Sequence, residues 1–223
     1  MTRFVPRHFL TPRPPAFSRW SRDFMSAVQC AGSSDAAGAK DHFARIDGLA
    51  IAYWFHQTAQ NAASERMVFL SEVTGSSLPT RDDVMAREQT RMPRTAEKIE
   101  ILERDHWRCW YCGSPLLFKT EFHKLQLIVG ADLLPLGQTN LTTHGAKFLH
   151  MATFDHIRPH ARGGLADTSN IVASCYACNF GKYRYTMEEL GLEETPDGTS
   201  RYPEIKAWTR AVSTLRLLPS PTR

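Results

Sequence analysis

The clearest helical spacing of apolar residues lies in Tyr202 to Leu218, where Ile205, Trp208, Val212 and Leu215 recur at i, i+3, i+7 and i+10. Such a face docks a helix onto the body of the protein. Upstream, Thr95 opens a helix with Ile99 and Leu102 on one side and Glu97, Lys98 and Glu100 elsewhere. Phe43 to Leu70 is richer in apolar residues (Ile46, Leu49, Ile51, Tyr53, Trp54, Phe55, Val68, Phe69, Leu70) and reads as one or two helices. After the turn from Gly75 to Pro79, Thr80 starts a helix with Asp82 and Asp83 in its first turn, and Pro93 ends it.

Shorter runs have strand character. Met151 to Ile157 reads as a strand ending in Asp155-His156, and Pro159 with Gly163-Gly164 forces the turn after it. Ile171-Val172-Ala173 is the returning strand, and Cys175 leads into a helix carrying Asn179 and Lys182. Leu125 to Val129 also reads as a strand, followed by Gly130 and the breaker-rich Leu134 to Gly137. Thr186 to Gly191 carries a capping box and a glycine stop, the marks of a short closing helix. Residues 31–40 read as a flexible linker. Residues 1–23 interleave Phe4, Phe9, Phe17 and Trp20 with arginines and prolines, which gives either a loose terminus, the preferred reading, or a basic arm that follows phosphates.

Cysteine spacing changes this picture most. Cys109-Trp110-Tyr111-Cys112 and Cys175-Tyr176-Ala177-Cys178 are two C-x-x-C pairs in a chain of five cysteines. Each pair places two thiolates on one tetrahedral metal, so together they make a four-cysteine zinc site. Structural zinc supplies roughly 10–16 kcal/mol to a small fold, enough to staple segments this far apart. Cys30 is left over as a plain thiol.

Between the pairs lie Asp155-His156, Pro159, Gly163-Gly164 and Asn170, and beyond them Asn179 and Lys182. This order resembles the HNH endonucleases of the ββα-metal fold, over about residues 94–190 with a long insertion at 113–150. The resemblance implies an α+β architecture: a ββα-metal nuclease unit stapled by the zinc, with a helical N-terminal extension. It leaves 1–40 as arm and linker, 41–93 as a helical extension of unassigned role, 94–191 as the nuclease domain and 192–223 as a C-terminal helix and tail.

The residues argue for the same chemistry. A strand, a loop, a strand and a helix fold Asp155, His156 and Asn179 onto one another. Asp155 offers a carboxylate and Asn179 a carbonyl, leaving most of a Mg²⁺ or Mn²⁺ shell to water and substrate phosphate. His156, with an unperturbed pKa of about 6.5, suits a general base at neutral pH. Resemblance gives these three residues the same roles and makes Asn170 the residue that fixes the loop and aims His156. Arg158, His160, Arg162 and Lys182 flank the site as phosphate contacts. Trp107 and Trp110 read as covers of the zinc site. His42, His56 and His106 read as structural or surface histidines. The 113–150 insertion reads either as a hairpin that touches substrate or as decoration beside the core.

Composition adds bounds. A formal charge of +4 mildly favours a polyanionic partner, and the substrate implied by the resemblance is DNA, with RNA as a variant. No run of 18 apolar residues suggests a membrane span, and cysteines spent on metal suit a reducing, cytoplasmic compartment. The reading of a different class is a zinc-knuckle module that binds nucleic acid without cutting it. A structural zinc protein that binds other proteins explains fewer of these residues.

Overall fold

The computed structural model describes residues 14–57, 92–188 and 205–219. The helices expected from Thr80 and over Val68 to Leu70 lie outside the described residues, as does the arm before Pro14.

The N-terminal segment is helical and buried. Helix α1 (Ala16–Gly32) follows two prolines and places Phe17, Trp20, Phe24, Ala27, Val28 and Ala31 on one inward stripe. That spacing of three and four residues crosses the boundary drawn between arm and linker, so neither half of the stripe stood out alone. Residues 31–40, expected as a linker, instead finish α1 and open α2 (Ala36–Phe43). Ser34, at φ 62°, makes the corner, and the Asp35 carboxylate accepts from the Gly38 amide at 2.8 Å to cap α2. Helix α3 (Gly48–Phe55) is capped the same way by Asp47, on the Ala50 amide at 2.9 Å.

Helix α4 (Thr95–Arg104) begins where Thr95 was expected to cap; the cap residue is Arg94, whose amide donates to Glu97 Oε2 at 2.6 Å. The segment 113–150 is built on two α-helices, with a single antiparallel bridge between Leu136 and Thr143 in the loop that joins them. Helix α5 (Lys119–Val129) contains the stretch read as a strand. A five-residue window hid its period, because Phe122, Leu125 and Val129 face inward at helical spacing while Leu127 is 60% exposed. Helix α6 (Ala146–His150) follows. Helix α8 (Ile205–Leu217) buries Trp208, Ala211, Val212 and Leu215 as its spacing predicts.

These helices meet at Phe24, which is fully buried. Its ring stacks on His150 with centroids 4.0 Å apart and lies 6.4 Å from Phe122 and 6.1 Å from Trp208. One apolar cluster runs from here to Cys109, Cys175 and Cys178. Thus the segment read as an insertion is part of the main core. Among the described residues no helix is long and apolar enough to cross a membrane.

The remaining layer is a two-stranded antiparallel sheet, β1 (Ala152–His156) and β2 (Ile171–Cys175), in register from Ala152↔Cys175 to His156↔Ile171. Helix α7 (Tyr176–Lys182) leaves β2 directly. Both outer edges are used. Ala173 of β2 donates to Asp105 Oδ2 at 2.7 Å and accepts from the Trp110 amide at 2.8 Å. On the β1 side, Ala152 donates to the Leu117 carbonyl at 2.8 Å. The fold is therefore mixed α and β, with a strand–strand–helix unit set against a helical layer. Thr186 to Glu188, expected to open a helix, form coil and turn, and residues 189–191 lie outside the described range.

Candidate functional site

The four cysteines converge. All four Sγ atoms lie within 4.8 Å of one another, and Cys112 Sγ sits 3.8 Å from Cys175 Sγ. A tetrahedron of Zn–S bonds of about 2.3 Å has an edge of about 3.8 Å, so the donor set fits zinc in both size and softness. Two left-handed residues, His106 (φ 55°) and Trp107 (φ 57°), turn the chain out of α4 into the first pair. The Cys109 amide then donates to the Ser114 carbonyl, and the Gly113 amide to the Cys109 carbonyl, each at 2.8 Å. The second pair sits on the first turn of α7, where the Cys178 amide approaches Cys175 Sγ at 3.4 Å. Burial and the neighbouring thiols hold Cys109 well above the usual thiol pKa, and the neighbouring thiols and burial do the same to Cys178. A metal that binds thiolates therefore has to displace protons here.

Asp155 and His156 end β1, so their side chains leave opposite faces of the strand. The Asp155 carboxylate is only 7% exposed. Its Oδ2 accepts from the Tyr111 hydroxyl at 2.6 Å and pairs with Lys182 Nζ at 3.2 Å. Burial raises the carboxyl pKa against the lowering effects of Lys182 and the hydrogen bonds. Tyr111 is pushed well above the usual phenol value, by burial first and the Asp155 charge second, which keeps its proton in place as a donor.

Asn179 uses its amide nitrogen on β1, donating to Thr153 Oγ1 at 3.1 Å and to the Phe154 carbonyl at 3.3 Å. Thr153 and Asp155 share one face of the strand. The Asn179 side chain thus lies on the Asp155 side, and its carbonyl oxygen is the atom those bonds do not use. A carboxylate and an amide oxygen are hard donors, the type that a divalent cation such as Mg²⁺ takes.

The loop between the strands is closed by Asn170. Its Oδ1 accepts from the Arg158 amide at 2.9 Å, and its Nδ2 donates to the carbonyls of Arg158 at 3.1 Å and Leu165 at 2.8 Å. Gly164 lets these strands of chain touch: a Cβ there would lie 1.8 Å from the Arg158 carbonyl oxygen. Gly163 takes the left-handed conformation at φ 88°. The ring of His160 sits 5.7 Å from that of His156, edge to face. Arg158 is exposed and Arg162 half-buried; both border a cavity of about 310 Å³ shared with Ile157, Thr186, Met187 and Glu188.

Lys182 departs from its expected place. It is 0% exposed, and its ammonium donates to the His156 carbonyl at 2.7 Å besides pairing with Asp155. An amine buried between those two groups is an internal partner of the site rather than a surface phosphate contact. Trp107 is also deeper than expected. Its ring lies under the Arg216 guanidinium at 5.2 Å, and its carbonyl accepts from Trp208 Nε1 at 2.8 Å, so it anchors α8 to the knuckle. Trp110 meets Tyr111 edge-on at 5.2 Å.

Three contributors were missed in the sequence. Tyr111 sits between two cysteines and looks like a spacer there. Arg104 and Asp105 look like the polar end of α4. Yet the Asp105 carboxylate takes the Ala173 amide, while Arg104 holds Asp105 at 2.7 Å and the Ile171 carbonyl at 2.7 Å. The only sequence signal was position: all three lie within or shortly before the first cysteine pair, where a polar side chain must find a partner.

Residues 147–193 match the family model of the HNH endonucleases. That span takes in β1, the Asn170-closed loop, β2 and α7, with the second cysteine pair. No curated protein and no solved structure matches the chain.

Proposed function

We propose that this protein is a divalent-cation-dependent endonuclease that hydrolyses phosphodiester bonds in DNA, with a structural zinc on Cys109, Cys112, Cys175 and Cys178. The observation that carries this reading is the buried Asp155 carboxylate beside His156. A buried carboxylate costs several kcal/mol even when paired. A knuckle that only bound nucleic acid has no use for that cost, whereas a hydrolase needs a fixed anionic ligand next to its base.

In this reading Asp155 and Asn179 hold the cation, and His156 acts on water. The neutral imidazole takes a proton as the water oxygen bonds to phosphorus; the P–O bond to the leaving sugar oxygen breaks, and that oxygen takes a proton from solvent. A bound Mg²⁺ or Mn²⁺ supplies charge stabilisation at the phosphate and the leaving oxygen. Asn170 keeps the loop after His156 closed so that the imidazole holds its aim. Arg158, Arg162 and His160 meet the flanking phosphates, giving affinity without reading bases. The work of the protein is cytoplasmic in this reading, and the substrate is DNA in preference to RNA.

The test is cleavage of plasmid DNA by zinc-loaded protein with and without Mg²⁺ or Mn²⁺, beside H156A. Cleavage that needs the divalent ion and falls by roughly 10²–10⁴ in the variant is expected, the usual worth of a general base. Cleavage by H156A at the wild-type rate would refute the assignment of the base. Folded wild-type protein that shifts DNA but yields no product with either ion would make it a binding module.

A further inference from the structure

We infer that Tyr111 is a positioning residue that reaches from the cysteine centre to the cation site and orients the Asp155 carboxylate for its divalent ion. The inference rests on the nuclease reading given above.

Tyr111 lies between Cys109 and Cys112 in sequence, so a metal on those two sulfurs would fix the turn that carries it. Its position is tightened further by the Trp110 amide, which donates to the Ala173 carbonyl at 2.8 Å, and by the edge-on Trp110 ring. From that anchored turn the phenol reaches across to Asp155 Oδ2 at 2.6 Å. Lys182, from the far end of the helix that carries Cys178, meets the same oxygen at 3.2 Å. Two donors from the two halves of the zinc site therefore converge on one carboxylate oxygen. They fix the plane of the carboxylate and leave Oδ1 as the oxygen that neither of them holds.

The two donors differ in what they can do. Lys182 brings a positive charge, which competes with a cation. Tyr111 is neutral, so it orients the carboxylate without opposing the ion. Partners of metal-ligating carboxylates matter because they hold the ligand in its binding orientation, and their loss weakens metal affinity by about 10- to 100-fold.

The experiment measures Mn²⁺ binding by calorimetry on zinc-loaded wild type, Y111F and D155N, with zinc content and thermal midpoint recorded for each. We expect Y111F to keep its zinc and a midpoint close to wild type while its Mn²⁺ dissociation constant rises about 10- to 100-fold. The Mn²⁺ concentration that half-saturates cleavage should rise by the same factor, with the rate at saturation much less changed. Wild-type Mn²⁺ affinity in Y111F would overturn the inference, and so would a loss of zinc or a collapse of the midpoint, which marks a purely structural tyrosine. If wild type binds Mn²⁺ and D155N does not, an unaltered Y111F refutes the tyrosine alone. If wild type neither binds Mn²⁺ nor cleaves, the nuclease reading falls and takes this one with it.

Discussion

The two halves of this molecule are held together by different physics. Around β1, β2 and α7, the apolar packing is joined by contacts that depend on single atoms: four clustered sulfurs, the Asp105 carboxylate on the Ala173 amide, and the Asn170 side-chain amide on the Arg158 backbone. In the layer of α1, α5 and α8, by contrast, the contacts are apolar surfaces meeting at Phe24. A site built from directional contacts is all-or-none, because losing one partner leaves another buried and unsatisfied. An apolar layer is graded, because each deleted methylene removes only its own share of burial.

Metal removal should separate the halves most strongly. A zinc centre is worth roughly 10–16 kcal/mol, so a strong chelator is expected to strip hydrogen-exchange protection from β1, β2 and α7 while the amides of α1 and α5 stay the slowest to exchange. Uniform loss of protection would break the comparison and make the molecule one cooperative unit. Next in size, F24A should lower stability by about 3–5 kcal/mol, the usual cost of such a cavity. It should keep its zinc content, as read by denaturant unfolding beside metal analysis.

The third prediction concerns acid. His144, half-buried between Phe43 of α2 (ring centroids 4.9 Å apart) and Gly48 of α3, has its pKa lowered to about 4, chiefly by burial. The unfolded chain takes up this proton near pH 6.5 and the folded chain only near pH 4. Stability from this group is therefore whole above pH 6.5 and falls as the pH drops towards 4. Between pH 7.5 and 4.5 the loss should be about 2–3 kcal/mol. Because thiolates also protonate in acid, the measure is the difference in urea midpoints between wild type and H144N, which should narrow as the pH falls. A constant gap would show that His144 does not titrate as described.

This division also explains what could be read without a structure. Cys109, Cys112, Cys175 and Cys178 were legible as one cluster because two C-x-x-C pairs suit a single tetrahedral metal, and Asn170 stood out only through resemblance to a family pattern. The apolar layer was legible only through periodicity, and composition masked it. Ala-Gly-Ser-rich residues 31–40 looked like a linker, although Asp35 is a helix cap and the alanines favour a helix. Leu125 to Val129 looked like a strand because the window excluded Phe122. Tyr111 and Lys182 were visible as residues, but their shared grip on Asp155 exists only once segments remote in sequence have met.

The distance along the chain between the two cysteine pairs has a consequence for synthesis. A ribosome that has completed α1 through α5 has made Cys109, Cys112 and Tyr111 but neither Asp155 nor the second pair. The first pair alone offers half of a tetrahedron, and closing so long a loop waits on the strands and α7. Until α7 has emerged the nascent chain therefore lacks both the closed cysteine cluster and the partners that Lys182 and Tyr111 supply to Asp155.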